Sequence, residues 1–147
     1  MEPSIKLPER TKWYISQKGL PQEEVFELRF LKPEDFYSTS WRGEPHIAVA
    51  VDEGISLLCI DREGLVYSIE ISGEEKRCFV ASSLEQFLQQ VQAYNQLEPL
   101  PPDCSEMQLQ AQAGYFAEKL VALDESALLN EDGFWTIFLE QMAAGLL

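Results

Sequence analysis

The 147-residue sequence contains only one histidine and three cysteines, and it has no long apolar run. A membrane-spanning helix needs about 20 consecutive apolar residues, so we expect no transmembrane segment. The first ten residues carry charges and prolines where a secretory signal would be apolar. The cysteines, Cys59, Cys78 and Cys104, are odd in number and widely spaced. We therefore expect reduced thiols and a cytoplasmic protein.

Residues that could carry catalysis are scarce. A serine–histidine or cysteine–histidine mechanism would have to use His46. His46 opens a predicted strand, where a histidine is more often a surface or hydrogen-bonded residue. A zinc site needs about four ligands, and each glycine near the predicted strands stands alone in a turn rather than in a phosphate-binding loop. We expect no enzyme activity, cofactor or metal; a buried hydrogen-bonded cluster around His46, or measured turnover, would contradict this.

Basic residues are also few, with 11 lysines and arginines against 25 acidic residues and a formal net charge of −14. Phosphate backbones repel such a surface, so direct nucleic-acid binding is not expected. The same charge favours a basic protein partner and speeds its encounter. Acidic surfaces also simply keep proteins in solution, so the charge by itself does not decide between these two interpretations.

The centre of the chain predicts an antiparallel β-meander. Four β-type runs, at 46–51, 55–60, 65–71 and 77–81, are separated by glycine-containing connectors of three or four residues, the last at 72–75. Connectors this short force antiparallel neighbours, because a parallel crossover needs a dozen residues or more. In the third run Leu65, Tyr67, Ile69 and Ile71 share one face. At least one face of the meander is therefore expected to pack on a core.

The N-terminal segment, residues 1–45, is predicted to be a strand and loop region. Val25–Leu31 has the apolar pattern of a strand, and Pro33 suits a turn or the first position of a short helix. Residues 38–45 are predicted to be a loop. Glycine, serine and proline are frequent there.

The C-terminal segment, residues 82–147, is predicted to be helical. Ser82 with Glu85 forms a capping box for a first helix that must end before Pro99. A second helix is predicted from about 105 to 123 and a third from about 132. Strands followed by helices indicate one α+β domain over 1–147, with a meander of about four to six strands packed against C-terminal helices.

Candidates for partner contacts come from the predicted turns and the irregular N-terminal third. Turn carboxylates are solvated, and tryptophan is enriched where interfaces concentrate their binding energy. The candidate contact residues are Trp41, Asp52, Glu53, Asp61, Glu63, Glu74 and Glu75. Trp41 and Trp13 could instead cap the sheet edge, and Trp135 is expected in the core.

Three segments, in this order, resemble the SUKH superfamily, closest to its fourth subgroup. They are Gly64–Val66 opening a strand, the strand-to-helix junction 79–88 (FVASSLEQFL), and Asp132–Trp135 opening the last helix. The resemblance covers about 44–145. It implies a non-enzymatic bacterial immunity protein that binds and neutralises a polymorphic toxin, often a nuclease or deaminase.

Three hypotheses follow. The first is an immunity protein whose acidic surface binds a basic, nucleic-acid-targeting toxin domain. The second is an intracellular scaffold or regulatory adaptor of the same fold that binds a host protein. The third is a small-molecule binder or enzyme that uses the aromatic N-terminal third as a pocket; it requires a deep apolar pocket with convergent polar groups.

Overall fold

The computed structural model describes residues 6–71 and 73–147. Residues 1–5 of the predicted N-terminal region and Ser72 of the predicted last connector lie outside the described residues. The described part contains the helices α1 (Glu9–Lys18), α2 (Leu84–Asn95), α3 (Glu106–Leu123) and α4 (Phe134–Ala143), with a short 3₁₀ helix at Pro33–Asp35. Its strands are β1 (Arg29–Phe30), β2 (Tyr37–Trp41), β3 (Glu44–Asp52), β4 (Ser56–Ile60), β5 (Val66–Glu70) and β6 (Arg77–Ala81).

The strands form one antiparallel sheet in the order β1-β3-β4-β5-β6, with β2 also paired to β3. β1 and β2 use different halves of β3: Arg29 lies opposite Val51, and Tyr37 lies opposite Ala48. The register of β3 against β4 shifts between Ala48 and Ala50. A bulge of this kind bends a strand and increases its twist. The predicted α+β class and the meander of four to six strands are confirmed.

The helices cover one side of the sheet, which we call the inner face. Buried side chains from the strands and helices meet there in one core, including Leu58, Ile60, Val66, Val80, Leu84, Phe87, Phe116, Leu120 and Trp135. Trp135 is fully buried, as predicted, and packs edge-on against Phe116 and Phe138. Burying one large apolar side chain stabilises a fold by about 1.5–3 kcal/mol, so this cluster fixes the helices on the sheet.

The N-terminal segment contains more regular structure than the sequence predicted. Residues 9–18 form α1, within the segment predicted to be strand and loop. Only Thr11 of this helix is buried, and Trp13 is exposed. Because the helix has no apolar stripe, no helical periodicity marks it in the sequence.

The prediction of a loop at 38–45 was wrong, since β2 and the start of β3 occupy these residues. β2 is polar because it lies at an edge of the sheet and pairs only with β3.

The start of α2 differs from the prediction by one residue. Ser83, not Ser82, is the N-cap, and its hydroxyl oxygen accepts a hydrogen bond from the Gln86 backbone N–H at 3.1 Å. Ser82 instead donates its N–H and its hydroxyl to the Asp124 carboxylate, at 2.7 and 2.9 Å. The predicted Ser82–Glu85 capping box is therefore wrong, and Ser82 joins the β6–α2 junction to the end of α3.

Candidate protein-binding surface

The face of the sheet turned away from the helices, the outer face, carries a second and smaller core. Ala48, Cys59 and Ile69 are buried there. Trp41, Leu57 and Tyr67 are partly buried and pack against them. Cys59 lies opposite Tyr67, and Leu57 lies opposite Ile69. The apolar face predicted from the alternation of β5 is this outer face, whereas Val66 of the same strand contributes to the inner core.

The hairpin formed by β2 and β3 covers one half of the outer face. The indole N–H of Trp41, at the end of β2, donates to the main-chain carbonyl of Glu75 at 2.8 Å. Glu75 lies between β5 and β6, which are two and three strands away from β3 in the strand order. This contact requires the hairpin to fold back over the sheet. The bulge in β3 between Ala48 and Ala50 supplies the bend.

Arg77, the first residue of β6, holds the hairpin in place. Its guanidinium lies 4.2 Å from the Trp41 ring centroid and 4.0 Å from the Tyr67 ring centroid. One nitrogen, Nη1, is 2.9 Å from the Glu44 carboxylate and 3.2 Å from His46 Nε2. We call Trp41, Glu44, His46, Tyr67 and Arg77 the arginine clasp.

The clasp occupies both ring nitrogens of His46. A guanidinium only donates hydrogen bonds, so His46 Nε2 accepts the bond from Arg77. Nδ1 lies 2.9 Å from the Glu44 main-chain carbonyl, to which it donates. Neither nitrogen is left free for another partner.

His46 is thus buried in a hydrogen-bonded cluster, which is the arrangement named above as evidence against a purely binding role. A general base needs a free nitrogen within reach of the proton that it removes. His46 has 0% exposed surface and both nitrogens engaged. The geometry assigns this histidine to holding the hairpin over the outer face.

The six predicted carboxylates fall into two groups at opposite ends of the meander. Asp52, Glu53, Glu74 and Glu75 belong to the β3–β4 and β5–β6 turns, which adjoin through a bond from Ile71 N–H to the Ile55 carbonyl at 2.9 Å. Asp61 and Glu63 lie at the other end, in the β4–β5 turn. We call the first group, together with Ile55 and Ile71, the turn-end surface.

The Asp61 carboxylate stabilises its own turn. It accepts hydrogen bonds from the backbone N–H groups of Glu63 and Leu65, both at 2.9 Å. This self-capping is typical of aspartate in turns. Glu63 is exposed beside it. Trp41, the remaining candidate, is half-buried in the arginine clasp, and Trp13 is 60% exposed on α1.

Sequence reasoning missed the two isoleucines of the turn-end surface. Ile55 is 57% exposed and Ile71 is 44% exposed. The alternation of β5 places Ile71 on the face of Tyr67 and Ile69, but only the folded hairpin shows which part of that face stays open.

Tyr37, on β2, is exposed on the same side of the sheet. Burial raises its pKa, and the Cys59 thiol and the Glu53 carboxylate raise it further.

A cleft of about 360 Å³ lies between α1, α2 and the β4–β5 turn. Its lining includes Arg10, Tyr14, Glu63, Glu85 and Gln86. Burial raises the pKa of Tyr14, and Glu85 adds to this effect. The side chains that line this cleft are mainly charged or polar, so the cleft does not match the apolar pocket that the small-molecule hypothesis requires.

Two further observations concern residues 6–71 and 73–147 only. They contain no group of three or more histidine, cysteine or acidic side chains placed to hold a metal ion. None of their helices is both long enough and apolar enough to cross a membrane.

Comparison with known proteins gives a family. No match was found among curated proteins or among solved structures. A family model described as SUKH-4 immunity protein matches residues 3–141, which include the whole sheet, α1 to α3 and most of α4. The matched part is far more than half of the 147 residues, and the chain therefore belongs to the SUKH-4 immunity protein family.

Proposed function

We propose that this protein neutralises a bacterial toxin by binding it, without catalysis, in the cytoplasm of the cell that it protects. The observation that carries the proposal is the family match over residues 3–141. The burial of His46 agrees with a binding role, because the only histidine of the chain is engaged on both nitrogens.

The toxin is proposed to be a basic domain that acts on nucleic acid. Enzymes that bind phosphate backbones carry basic surfaces. A chain with 25 acidic and 11 basic residues complements such a surface and is itself repelled by nucleic acid. Binding at the basic surface would block access of the nucleic acid to the toxin.

The proposed contact residues are those of the turns. Asp52, Glu53, Glu74 and Glu75 adjoin one another at one end of the meander. Asp61 and Glu63 lie at the other end, and Trp41 supports the first group through its bond to Glu75. One toxin surface would therefore engage one end principally, and the first end carries more carboxylates.

The test is a titration of a toxin domain, which we expect the neighbouring gene to encode. Its activity is measured against increasing amounts of the purified protein. For neutralisation by binding, we expect activity to fall linearly to zero near an equimolar ratio, independently of incubation time. A catalytically inactive variant of the toxin, used as competitor, should restore activity by occupying the protein.

Two results would contradict the proposal. Complete protection at far less than equimolar protein, growing with time, would show that the protein modifies the toxin catalytically. Equal killing by the toxin in cells with and without the protein would show that it gives no immunity.

A further inference from the structure

We propose that the turn-end surface is the main toxin contact, with Ile55 and Ile71 as apolar anchors inside a rim of carboxylates. The fitting partner surface is a protein patch with apolar side chains surrounded by lysine and arginine. This inference rests on the proposed function and adds the location and the chemistry of its interface.

The apolar centre continues a packed face of the sheet. Leu57 and Ile69 lie opposite each other on β4 and β5, and Ile55 and Ile71 extend the same two rows beyond the strand ends. The arginine clasp covers the rows near Cys59 and Tyr67 but leaves the isoleucines 57% and 44% exposed. Branched side chains have few rotamers to lose, so they can be buried by a partner at low entropic cost.

The rim of the surface has an excess of negative charge. Glu53 pairs with Arg29 at 2.7 Å, and Glu74 pairs with Lys76 at 3.5 Å. Within the described part of the chain, no ion pair is formed by Asp52 or Glu75. The four carboxylates of the two adjoining turns thus form ion pairs with only two cations. Charges on the rim of an interface mainly steer the partner and raise the association rate.

This charge also decides between possible occupants. In a twofold dimer the same patch would face itself and bring its carboxylates together, which is repulsive. Nucleic acid is repelled by the same groups. A basic protein surface is the partner that satisfies both the carboxylates and the exposed isoleucines.

Backbone geometry and one long-range hydrogen bond restrain the turn-end surface before it binds. Gly54 and Gly73 have φ values of +75° and +76°, which favour glycine in these tight turns. Trp41 bonds the Glu75 carbonyl at 2.8 Å and connects the β5–β6 turn to the clasp. A preformed surface loses little conformational freedom on association, which improves affinity.

The first test removes the apolar anchors. The double variant Ile55→Ser/Ile71→Ser is compared with Met107→Ser/Leu129→Ser, which alters two side chains that are 78% and 76% exposed on the helical side. Affinity for the toxin domain encoded by the neighbouring gene is measured by calorimetry, and folding by urea denaturation. We expect the first variant to bind about 100-fold more weakly and the control to change binding by less than about threefold.

The second test reverses charges on the rim, and its control variant has the same net charge. Glu53→Lys/Glu75→Lys is compared with Glu131→Lys/Glu140→Lys, in which two exposed residues elsewhere are reversed. We expect the first pair to lower the association rate about tenfold or more at low salt and to flatten its salt dependence. The control pair should lower it much less, because its charges lie away from the contact.

The outcomes separate this inference from the proposed function. If the parent protein binds the toxin and both turn-end variants bind equally well, the surface is wrong and the immunity function stands. If the parent protein neither binds nor protects, both are overturned. If Ile55→Ser/Ile71→Ser converts a dimer into a monomer in sedimentation, the surface is covered by a second copy and the inference is overturned.

Discussion

Arg77, on β6, connects side chains from three other strands of the sheet. Trp41 comes from β2, Glu44 and His46 from β3, and Tyr67 from β5. A planar guanidinium can lie flat between two rings while its edge donates hydrogen bonds. Its side chain is only 19% exposed, so solvent screens these contacts less than those of a surface pair.

Arg77→Lys should therefore destabilise the protein. A lysine ammonium cannot lie flat on both rings or reproduce the paired bonds to Glu44 and His46. We expect the free energy of unfolding to fall by about 1–2 kcal/mol, measured by urea denaturation. Arg42→Lys is the control, since Arg42 lies 4.8 Å from the same Trp41 ring but is exposed. Equal effects of the two substitutions would contradict the role of the clasp.

Cys59 gives a prediction on pH dependence. Burial raises the pKa of its thiol from the ordinary 9.0 to about 12. Between these values the unfolded chain loses the proton while the folded chain keeps it, so stability is retained below pH 9 and falls as pH rises toward 12. The loss approaches about 1.4 kcal/mol per pH unit. Urea denaturation at several pH values should show a shallower decline for Cys59→Ala, and an unchanged slope would contradict the prediction.

At the scale of elements, Asp124 connects the end of α3 to the start of α2. It is 3% exposed, and its carboxylate accepts two bonds from Ser82 and one from the Ser126 N–H at 3.0 Å. Gln86 of α2 adds a bond to the Leu123 carbonyl at 3.0 Å. The β6–α2 junction is therefore held by residues at the C-terminal end of α3, a helix of 18 residues.

Asp124→Ala should cost more stability than the loss of a helix cap. It leaves the Ser82 N–H and hydroxyl without their acceptor in a partly buried site, and we expect a loss of about 2–4 kcal/mol. Ser83→Ala removes only the N-cap of α2 and should cost about 1 kcal/mol. Glu125→Ala, at an exposed neighbour, is the control for charge. Thermal and urea denaturation of the three variants would test this order.

The elements that the sequence predicted well are those with local signals. Short β-type runs and glycine-containing connectors located β3 to β6, apolar periodicity located α2 and α3, and a largely apolar segment located α4. Ser82 and Ser83 are each followed three residues later by Glu85 or Gln86. Local sequence rules cannot tell which serine is the N-cap of α2. The outcome depends on Asp124, which lies 42 residues beyond Ser82 in the sequence and binds Ser82.

The candidate surface was predictable in part for the same reason. Turn chemistry located its carboxylates, and the meander implies that the β3–β4 and β5–β6 turns share one end. The exposure of Ile55 and Ile71 depends on where the β2–β3 hairpin lies. That position is fixed by contacts from Trp41 to Glu75 and from Arg77 to Glu44, separated by 34 and 33 residues.

At the scale of the molecule, the net charge of −14 predicts how binding responds to salt. The association rate with the proposed basic toxin domain should fall at least about tenfold between low and high ionic strength. The dissociation rate should change much less, because it depends on the packed centre of the interface. Stopped-flow measurements over a range of sodium chloride would show both. A salt-independent association rate would contradict electrostatic steering.

The sheet is packed on both sides, by helices on one and by the arginine clasp on much of the other. A substitution at a buried strand position on either side therefore disturbs a core. Side chains at the tips of the β3–β4 and β5–β6 turns belong to neither core. If the turn-end surface is the toxin contact that we propose, proteins built on this scaffold can exchange those few side chains, and so change their partner, while their folding free energy changes little.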